Sequence, residues 1–428
     1  MADFGGELQR LMQARDIGVR ELARQVPCNP GYISNLRAGN KRPSPQTARR
    51  LDEVLDAGGT LAALAPQRAS RSRPVVKPGG ELGGLPETAD DALELIELMY
   101  RLECSDIGSG TLDALYAATD RLCRSYPTVP APILRDRAAK YLGYTVRLLD
   151  ERTTLRQHRE LLVTAGWLAA LLACVCYDAG DPGAAEAARR ITFQLGEHAG
   201  HGELAGWAYE IAAWFALVEG RFSDTVALSE AGLLHAGVSN AGVQLTLQAS
   251  RGYARMGDRR AGQMLMSGRE MLRRLPEPEH PEHHFAFDRD KYEFYTATIY
   301  TWLGTDDAAA AENAHEVIAR CYGPEGAIRW PTRLSTTLIN LGQMAGRRGD
   351  LDEAVGLGTA ALACGRRSAE LLPRAAELGR RLSARYPGER LTSAFGEALQ
   401  EEFRAMPPAD VRRLHEVVGR RMSAGTQL

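Results

Sequence analysis

Apolar and polar positions alternate along this chain with the period of a helix almost throughout. In the first 64 residues the apolar positions come in short clusters three and four apart: Leu8, Leu11 and Met12; Leu22, Ala23 and Val26; Ile33 and Leu36; then Ala48, Leu51, Val54 and Leu55. Residues at those spacings share one helix face, so residues 4–64 read as five short helices. Val19–Gln25 is the second. Pro27–Cys28 breaks the chain, Asn29 can cap a third helix, and Pro30 suits its first position. That helix, PGYISNLR, ends at Gly39. Ser44 caps a fourth with Pro45 at its start, Gly58-Gly59 ends it, and Thr60 opens a brief fifth. From residue 87 onward the same period continues, as in Leu93, Ile96, Glu97 and Tyr100, or in Leu112, Leu115, Tyr116 and Thr119. The alternating Val, Ile, Thr and aromatic runs that mark strands do not occur. The expected fold class is all-α.

Glycine punctuates the second part. Five times a helix ends at a Gly, often followed by Asp, and a small residue stands five positions on: Gly180 with Ala185, Gly220 with Thr225, Gly257 with Gly262, Gly304 with Ala309, and Gly349 with Ala354. Gly suits the left-handed residue that ends a helix, and the small residue lets the next helix approach. Large anchors precede each Gly, among them Tyr177, Phe215, Tyr253, Trp302 and Met344. The Gly spacings are 40, 37, 47 and 45. Over residues 155–370 this pattern resembles a tetratricopeptide array, whose period is about 34, with longer turns. The resemblance implies an α-solenoid, because a helical hairpin that cannot bury its apolar face alone stacks on its neighbours. The first helices of the pairs would line a concave surface. Helices at 88–103, 110–125 and 132–150 would cap one end. Those at 369–386, 390–405 and 409–422 would cap the other or make a dimer contact.

Between these parts, residues 67–86 (QRASRSRPVVKPGGELGGLP) carry Arg, Pro and Gly and almost no periodic apolar signal. That predicts a flexible basic linker, dividing the chain into 1–66, 67–86 and 87–428. Charge follows the division. The formal net charge is −2, yet residues 1–86 hold thirteen basic against eight acidic residues, so the remainder carries −7. A basic end on an acidic body points to a nucleic-acid-binding end joined to something else. Only Lys41, Lys77, Lys140 and Lys291 are lysines, and with the heavy use of Arg, Ala and Gly this suggests a GC-rich bacterial genome. Seven scattered cysteines without a CxxC argue against a disulfide framework or a zinc site and for a reducing cytoplasm. The first ten residues lack the apolar core of a signal peptide. The uncharged run Leu161–Tyr177 falls short of the about 20 residues that span a bilayer, and reads as a buried helix.

The five N-terminal helices resemble the Cro and lambda-repressor-like (Xre) helix-turn-helix family. The residues that carry the resemblance are ELARQV followed by YISNLRAGNKRPSP. Ala23 stands at the small position where the two helices cross, and Leu22, Val26, Ile33 and Leu36 match the family's core positions. The resemblance implies that the second helix of the motif enters the major groove of double-stranded DNA. Its base-facing positions would be Asn29, Pro30, Gly31 and Asn35, with Ser34 beside them. Arg37, Lys41 and Arg42 would reach phosphates or the groove edge, giving affinity more than sequence choice. Asn pairs well with adenine, but Pro30 and Gly31 offer no side-chain hydrogen bond where the family often places long polar residues. Direct readout is accordingly thinner. Pro27 also replaces the usual Gly of the turn, and Gly18-Val19 leaves the second helix without its usual polar cap. Arg68, Arg71, Arg73 and Lys77 of the linker either track DNA or belong to a soluble tether. An Xre head before a helical-repeat body resembles a known bacterial regulator architecture, which implies a homodimer and a peptide or small-molecule effector.

Other chemistry is sparse. His280, His283, His284, Asp288 and Asp290 are ligand-type side chains close in sequence, but HxxHH among prolines is no helical zinc signature. A surface or packing role is expected, with Phe285 and Phe287 as anchors. Trp167, Trp207, Trp214 and Trp302 read as core. If the concave side holds a ligand, Trp207, Tyr209, Tyr292 and Tyr295 are the candidates, because aromatic rings give rigid contact area. No P-loop, strand-borne GxGxxG, GxSxG or kinase motif is present. The expectation is a non-enzymatic, cytoplasmic, sequence-specific DNA-binding regulator without metal, cofactor or membrane contact. The alternative is an interaction scaffold whose head does not read DNA.

Overall fold

The computed structural model describes residues 4–26, 30–41, 43, 45–64, 107–366 and 368–404. Among the described residues there are nineteen α-helices and no strand, only an isolated antiparallel bridge between Tyr322 and Ile328. The protein is all-α, as its periodicity predicts. It divides into two compact units, 1–83 and 84–428.

The first unit holds α1 (Phe4–Ala14), α2 (Val19–Gln25), α3 (Pro30–Arg37), α4 (Pro45–Val54) and α5 (Thr60–Leu64). Its core is the predicted set: Leu8, Leu22, Ile33, Leu36, Leu51 and Leu55 have no exposed surface, with Leu61 beside them. Val54 is only half-buried. Removing such leucine and isoleucine side chains from water stabilises the fold by about 1.5–3 kcal/mol each, which is what closes so small a unit. Gly5 is needed by packing: a Cβ there would lie 2.8 Å from the Arg37 carbonyl and 2.9 Å from that of Leu36. Its absence lets α1 rest directly on the end of α3. Asp52, which periodicity alone does not single out, is buried and accepts from the N–H groups of Gly59 and Ala62, each at 2.6 Å. It fastens α4 to the start of α5, satisfying donors that a helix start leaves without partners.

The second unit begins with α6 (Ser109–Arg124) and α7 (Ala131–Leu149), both packed on α8 (Leu155–Asp178). Hairpins follow: α8 with α9 (Pro182–Ala199), α10 (Gly202–Val218) with α11 (Phe222–Ala236), and α12 (Asn240–Arg255) with α13 (Arg260–Leu272). Then come α14 (Arg289–Leu303) with α15 (Asp307–Arg320), α16 (Pro331–Arg348) with α17 (Leu351–Leu362), and α18 (Leu371–Arg385) with α19 (Arg390–Arg404). Each even-numbered helix from α8 to α18 packs on the next even-numbered one, and each odd-numbered helix from α9 on packs against its even-numbered hairpin partner. α8 is long and apolar enough to cross a membrane by length and composition, yet 78% of its most apolar window is buried within the protein. The predicted helices at 88–103 and 409–422, and the linker arginines, lie outside the described residues.

The Gly-Asp pairs have a double role. Gly180, Gly220, Gly257, Gly304 and Gly349 all take positive φ, from 63° to 98°. After Gly180 the next N–H, from Asp181, reaches back to the Cys176 carbonyl at 2.9 Å, and Asp350 does the same to Ala345 at 3.0 Å. This is the six-residue closure of a Schellman turn. The same Asp then caps the next helix: Asp181 accepts from Ala184 N–H at 2.9 Å and Asp350 from Glu353 N–H at 3.0 Å. Ala185, Thr225 and Ala354 are fully buried, as expected of the small position. Two expectations need correction. Gly262 and Ala309 are only half-buried, and Ala261 and Ala310 take the buried position. The turn after Gly257 is one residue shorter than a fixed spacing of five requires, and that after Gly304 one longer.

Cys123, Cys174, Cys176, Cys321 and Cys364 are buried free thiols. Burial raises the pKa of every one, Cys321 to about 12.

Candidate nucleic-acid interface and inner cavity

In the first unit α2 and α3 pack through Leu22, Ala23, Val26, Ile33 and Leu36. With its apolar side so engaged, α3 turns Gly31, Ser34 and Arg37 outward, and Lys41 is exposed in the turn that follows. Asn35 is half-buried. Its carbonyl accepts from Asn40 N–H at 2.9 Å, closing the helix at left-handed Gly39. α3 contains no acidic residue, so nothing on it repels phosphate. The N-cap of α2 is Gly18, which makes no side-chain cap. Pro30 opens α3. Asn29, Arg42, Pro27 and Ser44 lie outside the described residues.

In the second unit the even-numbered helices converge on a cavity of about 150 Å³. α10 contributes Trp207, Glu210 and Trp214, and α12 contributes Gln244, Gln248 and Arg251. Both sets step by three and four and so share one face. α14 adds Lys291, Phe294 and Tyr295; α16 adds Thr332, Arg333 and Thr336. The segment at 281–284, Trp330, Tyr126, Pro127, Cys174, Ser368 and Glu370 complete the wall. Glu210 Oε1 accepts from Gln244 Nε2 at 2.9 Å and from Gln248 Nε2 at 2.8 Å. Gln244 Nε2 also donates to the Tyr295 hydroxyl at 2.5 Å. Burial raises the Glu210 pKa despite these donors. Burial also lowers Lys291 to about 8, its ammonium donating to the carbonyls of His284 and Ala286 at 3.2 Å.

Buried ion pairs cross the same region. Arg251 donates to Gln248 Oε1 at 3.0 Å and pairs with Glu370, which Arg374 also contacts at 3.2 Å. Arg255 donates to Glu377 at 2.9 Å. Arg366 pairs with the fully buried Asp178 carboxylate at 3.1 Å, which accepts from the Tyr126 hydroxyl at 2.7 Å. α18 and the segment before it are thereby tied across α8 and α12. The histidine segment is structural: His284 stacks on Tyr126 with ring centroids 3.7 Å apart, and burial holds its pKa well below the ordinary value. Burial likewise lowers His283 to about 4. Among the described residues no three His, Cys, Asp or Glu side chains gather as a metal site would.

Residues 3–65 match the family described as a helix-turn-helix domain. The N-terminal unit is a helix-turn-helix domain. No curated protein and no solved structure matches the chain. α3 lies within the matched residues directly after α2, and the exposed candidates Gly31, Ser34, Arg37 and Lys41 belong to it or to its C-terminal turn.

Of the four aromatic ligand candidates, the fold brings Trp207 and Tyr295 to the cavity. Tyr209 instead stacks on His235 and meets Phe193 edge-on, because two residues along a helix turn it to the other side. Tyr292 donates its hydroxyl to the Leu265 carbonyl on α13 at 3.0 Å. Sequence reasoning missed Glu210, Gln244, Gln248, Arg251 and Arg333. A signal was present: Gln244, Gln248, Arg251 and Arg255 form a polar stripe spaced four, three and four along α12, a helix buried from Ala241 to Arg255. The run Glu370, Arg374, Glu377 and Arg381 repeats that spacing.

Proposed function

We propose that the chain is a sequence-specific transcriptional regulator of the Xre type, whose helix-turn-helix domain binds DNA and whose helical body dimerises and takes up an effector. The observation that carries the reading is α3, which follows α2 in a matched helix-turn-helix domain, exposes Ser34 and Arg37 with Lys41 in the turn after it, and carries no acidic residue. Cationic residues there supply salt-dependent phosphate contact, and Asn35 supplies an adenine-reading group. The stacked hairpins with left-handed Gly junctions support a tetratricopeptide-like solenoid. A twofold dimer would engage half-sites about one helical turn apart. On this reading the protein acts in the cytoplasm as a regulator and not as an enzyme.

The test is retention of sheared genomic DNA by the purified protein at near-physiological salt, with the Arg37→Ala/Lys41→Ala protein as control. A few sharply enriched sites, lost in the control, are expected. Uniform retention would show electrostatic binding alone. No retention would favour an interaction scaffold, a reading that the side-chain-poor Pro30 and Gly31 already give some footing.

A further inference from the structure

We propose that the inner cavity of the C-terminal unit binds a small aromatic carboxylate. The proposal rests on the reading of that unit as an effector module and supplies the chemistry of the effector. Size comes first. A cavity of about 150 Å³ matches one that holds a benzene-sized molecule. The pairs Arg251–Glu370 and Arg255–Glu377 tie α18 across the rest of the inner face, so a length of extended peptide meets no continuous groove.

The walls select a flat ring. Trp207, Trp214, Trp330, Phe294 and Tyr295 line the space. Ring faces and edges suit stacked or edge-on aromatic contacts. Trp330 already carries the Arg333 guanidinium 4.2 Å from its ring centroid.

The polar atoms select an anion. Trp207 and Arg251 are 1% and 3% exposed, yet Trp207 Nε1 and Arg251 Nε have no hydrogen-bond partner. A buried donor without a partner costs about 1–3 kcal/mol, and a carboxylate is the strong acceptor that satisfies donors of this kind. Arg333 comes no nearer to a carboxylate than 3.7 Å, from Asp288, too long for a hydrogen bond. Planar guanidinium groups match carboxylates in two-point contact. An amine is disfavoured, because Glu210 Oε1 already accepts from two amides and Glu370 from two arginines. Three buried oxygens of the lining have no hydrogen-bond partner, Gln244 Oε1, Thr332 Oγ1 and Ser368 Oγ; a hydroxyl on the ring meets Gln244 Oε1.

Isothermal calorimetry on the full-length protein tests this with benzoate and para-hydroxybenzoate as probes, and benzamide, benzylamine and acetate as contrasts. The expected result is one site per chain, with the aromatic acids bound about tenfold or more tighter than the amide, amine or ringless acid. Arg333→Ala should abolish the heat. Trp207→Phe, which keeps a ring and removes only the N–H, should weaken binding several-fold, with circular dichroism confirming that both variants fold. Equal binding of acid and amide, unchanged binding in Arg333→Ala, or no saturable heat from either aromatic acid at millimolar concentration would each overturn the proposal. DNA retention is measured on the same protein separately. Protein that selects operator DNA but gives no heat loses the ligand alone. Protein that binds the acids but no DNA keeps the cavity assignment and loses the regulator reading.

Discussion

Removing Glu377 should loosen α18 from α12 at a measurable cost. The side chains of Arg255 and Glu377 are 5% and 1% exposed and meet at 2.9 Å. Glu377 also accepts from Arg381, whose side chain is 43% exposed and can turn to water. Arg255 cannot, since its guanidinium lies 4.9 Å from the Phe222 ring centroid and 5.2 Å from that of Trp302. In Glu377→Met the guanidinium stays buried without a counter-charge, and losing one partner of such a pair costs about 3–5 kcal/mol. In Arg255→Met/Glu377→Met the uncompensated charge is gone and a flexible apolar side chain packs beside two rings. The double variant should therefore be more stable than Glu377→Met by about 2 kcal/mol or more. Urea denaturation followed by tryptophan fluorescence gives the four corners of the cycle, and hydrogen exchange in α18 gives the local opening. A loss below about 1 kcal/mol in Glu377→Met, or strictly additive single effects, would refute the claim that this pair holds the end of the body in place.

Three further outcomes follow from the packing and the protonation states. Asp52→Ala should lower the stability of the helix-turn-helix domain by about 1–2 kcal/mol through loss of its cap on α5, read as a shifted melting transition. Gly5→Ala should force α1 off the Leu36 and Arg37 carbonyls and weaken DNA retention, although residue 5 meets only the backbone at the end of α3; unchanged affinity would show that α3 tolerates the shift. His283 is held down to about 4 by burial, so the unfolded chain binds its proton first on acidification. The stability this neutral histidine supports is full above about pH 6.5 and is lost toward pH 4. His283→Asn should remove about 2 kcal/mol of the acid destabilisation between pH 7 and pH 5. Urea midpoints at the two pH values check this, and an undiminished slope in the variant would reject it.

The five helices of the head and their buried faces were legible because their signals are local. Prolines at helix starts and one apolar stripe per helix determine where elements begin and which side each buries. The hairpin ends were legible for the same reason, since Gly followed by Asp acts within six residues. Positions that depend on turn length, such as Ala261 and Ala310, slipped by one, because the pattern fixes the glycine but not how many residues the next helix needs to come round. The cavity was half legible. Periodicity brought forward Trp207 and Tyr295 but could not separate them from Tyr209 and Tyr292, which are as apolar and face other neighbours. Arg251 and Glu370 stand 119 residues apart, and nothing local announces such a pair. Their stripes were visible as polar positions, and they lie on α12, which is buried from Ala241 to Arg255, and on the buried first half of α18.

The buried thiols make the body a recorder of its own unfolding. A thiol whose ionisation is suppressed by burial neither oxidises readily nor reacts with alkylating reagents while its surroundings stay closed. Cys174 and Cys176 sit on α8, Cys321 at the end of α15 and Cys364 just past α17, so they mark separate stretches of the stack. In intact protein their labelling rates are set by how often each stretch opens. A pulse of reagent therefore reads a map of local opening along the body from the native sequence, with no introduced probe.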